Sequence, residues 1–96
     1  MATPKPWEEK WEVKRDLSRG GQGTTFIVVP KDTASGRQCV LKILRNQRSA
    51  QARGRMFREV ASLRVLHNAD CRVPQVLDGN VEEFEVSAVP LYFVME

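Results

Sequence analysis

Three groups of residues have types and spacings suited to chemistry. The first is the run Ser18, Arg19, Gly20, Gly21, Gln22 and Gly23. Its glycines leave backbone amides unblocked, so that they can approach phosphate oxygens closely. The residues that follow, Thr24 to Val29, are all β-branched or aromatic, so this turn opens a strand. A dinucleotide-binding turn opens a helix instead, and the pattern G-x-x-x-x-G-K-[ST] is absent. What remains is a flap between antiparallel strands, or a tight hairpin whose glycines supply positive φ.

The second group centres on Lys42, in the run Cys39, Val40, Leu41, Lys42, Ile43, Leu44. At period two Lys42 shares a face with Val40 and Leu44, while Cys39, Leu41 and Ile43 take the other. An ammonium amid apolar neighbours either snorkels to an edge or meets a buried anion. The third is Glu59. On a helical wheel it falls between Leu63 and Leu66, inside the arc that Met56, Val60 and Leu63 define, whereas Arg55, Arg58, Ser62 and Arg64 fall outside it or at its margins. A carboxylate aimed at a packed sheet needs a cation, and Lys42 is placed to supply one. At the edge of the arc the same carboxylate would reach water.

The elements that must position these residues follow from local pattern. Residues 1–10, with Pro4 and Pro6, read as a mobile lead-in. Trp11, Val13 and Leu17 predict a first strand, Thr24 to Val29 a second buried on both faces and ended by Pro30, and Gln38 to Leu44 a third, in an antiparallel meander. From Ser49 to His67 the period becomes helical, with Ser49 as N-cap and Met56, Val60, Leu63 and His67 on one face; Gly54 is a mild liability within it. Asn68, Ala69 and Asp70 break the helix, and Pro74 leads into a fourth strand at Gln75 to Gly79. Glu82, Glu83 and Glu85 read as a hairpin loop or strand edge. Leu91 to Met95 reads as a fifth strand buried on both faces. A domain seldom stops on a core strand, so more chain is expected beyond Glu96.

Composition limits the classes available. The 96 residues are 42% hydrophobic and 28% charged, which suits one small soluble domain without repeats or low-complexity tracts. No signal peptide and no run of 18 apolar residues is present, and a cytoplasmic location is expected. Cys39 and Cys71 lack metal or disulfide spacing and read as reduced, packed thiols. The net charge is +3, and arginines gather at Arg45, Arg48, Arg53, Arg55, Arg58 and Arg64. A solvated helix face accounts for that cluster better than a nucleic-acid surface, since no aromatic residues interleave as stacking platforms.

Taken in order, glycine flap, strand lysine and helical glutamate resemble the N-terminal lobe of the protein kinase family, whose marks are a Gly-rich loop, a V-A-I-K lysine and a glutamate on the helix αC. The resemblance spans Trp11 to Glu96. Leu63, Leu66, His67 and Asn68 resemble the end of αC, and "LYFVME" resembles the fifth strand entering the hinge. The implied fold is α+β, a five-stranded antiparallel sheet with one major helix. The implied domain is an ATP-binding lobe over 11–96, cut at the hinge.

By that resemblance Gly20, Gly21 and Gly23 would cover the ATP phosphates, Lys42 would hold the α and β phosphates, and Glu59 would orient Lys42. Leu17, Thr25 and Val40 would enclose the adenine, Met95 would line the back of its pocket, and the Glu96 carbonyl would accept from the adenine amino group. Arg55 matches a position that meets an activation-loop phosphate in several kinases. The catalytic base and Mg²⁺ ligands would lie in a C-lobe after Glu96, and the fragment alone would be inactive on a protein substrate. Departures from the family pattern are Ser18 at the first glycine, Gln22 at the flap tip, Thr25 for valine and Val40 for alanine. "RGGQGT" resembles serine/threonine kinases of bacterial type. A pseudokinase lobe and a basic nucleic-acid-binding module are the alternatives.

Overall fold

The structure, a computed structural model, describes residues 5–17, 24–32, 36–86 and 88–96. The flap residues Ser18, Gly20, Gly21, Gln22 and Gly23 lie outside them. The described chain is a small α+β domain of five strands and one α-helix: β1 (Trp11–Asp16), β2 (Thr25–Pro30), β3 (Cys39–Ile43), α1 (Ala50–Asn68), β4 (Val76–Gly79) and β5 (Tyr92–Met95). All pairings are antiparallel, in the spatial order β1-β2-β3-β5-β4. Because β5 lies between them and opposes both, β3 and β4 run the same way. The chain must therefore cross one face of β5 to connect them, and α1 makes that crossing.

The sheet alternation puts two different cores on its two faces. Leu41 and Cys39 of β3 join Val28, Tyr92, Val94, Trp7 and Trp11 on the outer face. Phe93 and Leu91 join Met56, Val60 and Val81 on the helix face, with Leu44, Leu63, Val76 and Met95 packed around them. β5 is thus buried on both sides along most of its length, as its apolar run predicts: Phe93 and Val94 are fully buried, Tyr92 nearly so, and Met95 at its end is half-buried. β2 is not. Val28 alone is fully enclosed there, because the apolar residues of α1 pack over β4, β5 and their connection and leave the face carrying Thr25 and Ile27 half open.

The lead-in expected over 1–10 does not describe all of that segment. Pro6–Glu9 forms a 3-10 turn, and Trp7 is buried against Tyr92 with ring centroids 5.7 Å apart in an edge-on arrangement. Trp7 and Trp11 close the outer face, and Trp11 also donates its indole N–H to Asp78 at 2.8 Å.

Helix α1 begins as its sequence predicts. Ser49 has extended backbone, and its hydroxyl accepts from the Ala52 amide at 3.1 Å. At the other end Asp70 takes φ 62°, its amide donates to His67, and the Cys71 amide reaches back to Leu66 at 3.0 Å. These two bonds form a Schellman stop, with aspartate in the place glycine usually holds. The acidic segment folds as a second 3-10 turn, Val81–Glu83, whose neighbour Phe84 stacks on Phe57 at 4.6 Å. Cys39 is buried as expected, whereas Cys71, expected to be packed, is exposed just past the helix stop.

Candidate functional site

Pairing register decides which side chains share the helix face. Lys42 lies opposite Thr25 on one side and Phe93 on the other, and Val40 lies between Ile27 and Met95. A bulge in β1 between Val13 and Arg15 adds one residue to that strand. Beyond it Arg15 lies opposite Ile27, and the Leu17 amide donates to Thr25 at 2.8 Å. Without the bulge Leu17 would follow Trp11 and Val13 to the outer face. With it, Leu17 joins Thr25, Val40, Lys42 and Met95 on one surface. Glu96 follows directly: its amide donates to Gln75 and its carboxylate pairs with Arg37.

From α1 the Glu59 carboxylate comes to this surface. Lys42 Nζ donates to Glu59 Oε2 at 2.9 Å and stands 5.9 Å from the centroid of the Phe93 ring. The two residues singled out by sequence therefore meet. Their surroundings differ from the expected apolar burial: the side chains are 38% and 41% exposed. The arc assumed for α1 is narrower than the wheel suggests, since Leu66 and Val65 are exposed while Met56, Val60 and the half-buried Phe57 and Leu63 pack into the core. Glu59 stands at the margin of that stripe, beside a cleft of about 290 Å³ lined also by Thr24, Leu44, Arg45, Ala52, Arg55 and Met56.

The cleft is lined by three cations, Lys42, Arg45 and Arg55, and one carboxylate, that of Glu59, a balance that suits an anionic ligand. Arg55 lines the same cleft as the pair. No three His, Cys, Asp or Glu side chains come together as a metal site among the described residues. Cys39 is no nucleophile candidate: it lies on the outer face, and burial pushes its thiol above the ordinary range. No helix among the described residues is long and apolar enough to cross a membrane.

One of the clustered arginines departs from the expectation of a solvated face. Arg45, Arg48, Arg55, Arg58 and Arg64 are exposed, as a solvated face requires, but Arg53 is only 2% exposed. Its guanidinium donates to the carbonyls of Phe84 (2.8 Å), Val86 (2.6 Å), Glu83 (3.3 Å) and Gln47 (3.1 Å), and to the Gln47 side-chain oxygen (3.2 Å). A signal existed: Arg53 precedes Met56, Val60 and Leu63 at spacings of three, seven and ten, which is the core stripe itself.

No protein-family model, curated protein or solved structure matches the chain.

Proposed function

We propose that this domain is the ATP-binding lobe of a protein kinase acting on serine or threonine hydroxyls. The observation that carries the reading is the Lys42–Glu59 contact at 2.9 Å, made between the third strand and the helix that follows it. Protein kinases use a lysine and glutamate from those two elements to hold the nucleotide phosphates. Stability is a poor explanation for the pair, because ion pairs this open to solvent contribute only about 0.2–1 kcal/mol. Positioning a charge for a ligand is a better one.

In this reading Lys42 presents its ammonium where the α and β phosphates would lie, and Glu59 holds it there before the ligand arrives, so that little reorganisation is needed. Leu17, Thr25, Val40 and Met95, which share a face by register, offer the mixed apolar surface that an adenine ring requires. The Glu96 carbonyl is the acceptor assigned to the adenine amino group. Bound ATP with Mg²⁺ supplies the phosphoryl group for transfer. The Mg²⁺ ligands and the base that takes the substrate proton are assigned to a C-lobe after Glu96, and the lobe alone transfers nothing.

An ATP analogue carrying an acyl phosphate tests this on the protein extended past Glu96. Mass spectrometry is expected to find Lys42 acylated in preference to Lys5, Lys10, Lys14 and Lys31, with excess ATP suppressing the reaction. Labelling spread evenly over these lysines and insensitive to ATP would overturn the reading.

A further inference from the structure

We infer that Arg53, held by Gln47, is a positioning residue that fixes the rotation of α1 and so keeps Glu59 within reach of Lys42. Its functional meaning rests on the kinase-lobe reading; the geometry does not. A guanidinium buried to 2% exposure normally faces a carboxylate, yet among the described residues the five acceptors around Arg53 are uncharged oxygens. These oxygens come from the segment before α1 and from the β4–β5 connection. Gln47 extends the join: its amide donates to the carbonyls of Leu44 and Leu91, and its oxygen accepts from the Leu91 amide at 2.8 Å. One buried hub therefore ties the end of β3, the helix, the connecting loop and the start of β5.

Arg53 and Glu59 are six residues apart, which places them about 120° apart around the helix and about 9 Å apart along it. A roll of α1 that withdrew Glu59 from Lys42 would pull Arg53 from its acceptors and leave buried carbonyls unpaired. The apolar grip on α1 is limited by comparison: Met56 and Val60 are its buried apolar side chains, Phe57 and Leu63 are half-buried beside them, and the C-terminal half exposes Val65 and Leu66. The polar hub, more than the apolar stripe, sets where the helix sits.

The test is made by NMR on this chain with Arg53→Met and Gln47→Ala, reading Lys42–Glu59 side-chain NOEs together with amide exchange in α1 and in β2, β3 and β5. The expected result is loss of those NOEs and α1 exchange faster by at least ~10-fold relative to the strands. A merely structural role would lower protection everywhere in proportion. NOEs that persist, or a uniform loss of protection, would overturn the inference; if Arg53→Met does not fold, Gln47→Ala is judged by the same rule. Neither readout involves nucleotide, so the inference and the kinase reading can fail separately.

Discussion

Lys42 and Glu59 stand 17 residues apart in sequence and 2.9 Å apart in space, joined by a strand, a capped helix and the crossover of β5. The crossover makes the meeting possible: α1 must lie on the face of the sheet to which Val40 and Lys42 of β3 point. Since both side chains are over a third exposed, the contact adds little to folding. Lys42→Met is therefore expected to change unfolding free energy by no more than about 1 kcal/mol in denaturant titration, which leaves the variant usable for functional measurements.

Trp7 gives the opposite result. It is buried against Tyr92 on the outer face, opposite the face on which α1 packs. Trp7→Ala is expected to cost about 3 kcal/mol or more, a large share of the stability of a small domain. Val13→Ala, at a residue 42% exposed, is expected to stay within about 0.5 kcal/mol. Urea unfolding of both variants checks the contrast; a silent Trp7→Ala would return residues 5–10 to the status of a lead-in.

Tyr92, the single tyrosine of the chain, can be followed alone by its phenolate absorbance. Burial, followed by the charge of Asp78 nearby, pushes its phenol from the ordinary value of 10.0 up to about 12. The folded state thus holds the phenol proton more tightly than the unfolded chain does. That contribution is fully present below pH 10.0 and is lost as pH rises through the interval from 10.0 to about 12. The titration midpoint of the folded protein is expected above 10.0, and Asp78→Asn is expected to lower it in part.

Two glycines separate space from conformation. Gly54 lies within α1, and a Cβ there meets only the end of the flexible Arg58 side chain at 3.4 Å. Gly54→Ala is expected to stabilise by about 0.5–1 kcal/mol through helix propensity. At Gly79, with φ 156°, a Cβ would fall 2.9 Å from the Phe93 Cβ and 3.0 Å from the Tyr92 carbonyl oxygen. Gly79→Ala is expected to destabilise by at least about 1 kcal/mol. Thermal unfolding midpoints moving in opposite directions check the pair.

Features set by neighbouring residues were readable in the sequence. Ser49 caps α1 because a hydroxyl three residues ahead of a free amide needs no distant partner, and the alternation of β3 alone divides Cys39 and Leu41 from Val40 and Lys42. The hidden features depend on partners far along the chain. Arg53 looked like one more solvated arginine because its acceptors sit at Glu83, Phe84 and Val86, about 30 residues on. The β1 bulge has no glycine to announce it, yet it decides the face that Leu17 occupies. Trp7 was read by the prolines around it, although one of them, Pro6, starts the turn that packs it.

The most direct test of the account is the rate of phosphoryl transfer to a protein substrate by the protein extended past Glu96 through the proposed C-lobe, compared with the same protein carrying Lys42→Met. Removing a preorganised cation from the phosphates is expected to lower kcat by at least ~10²-fold, with folding stability essentially unchanged. A kcat near that of the unaltered protein would contradict the assignment of Lys42, and with it the proposed role of the Lys42–Glu59 pair.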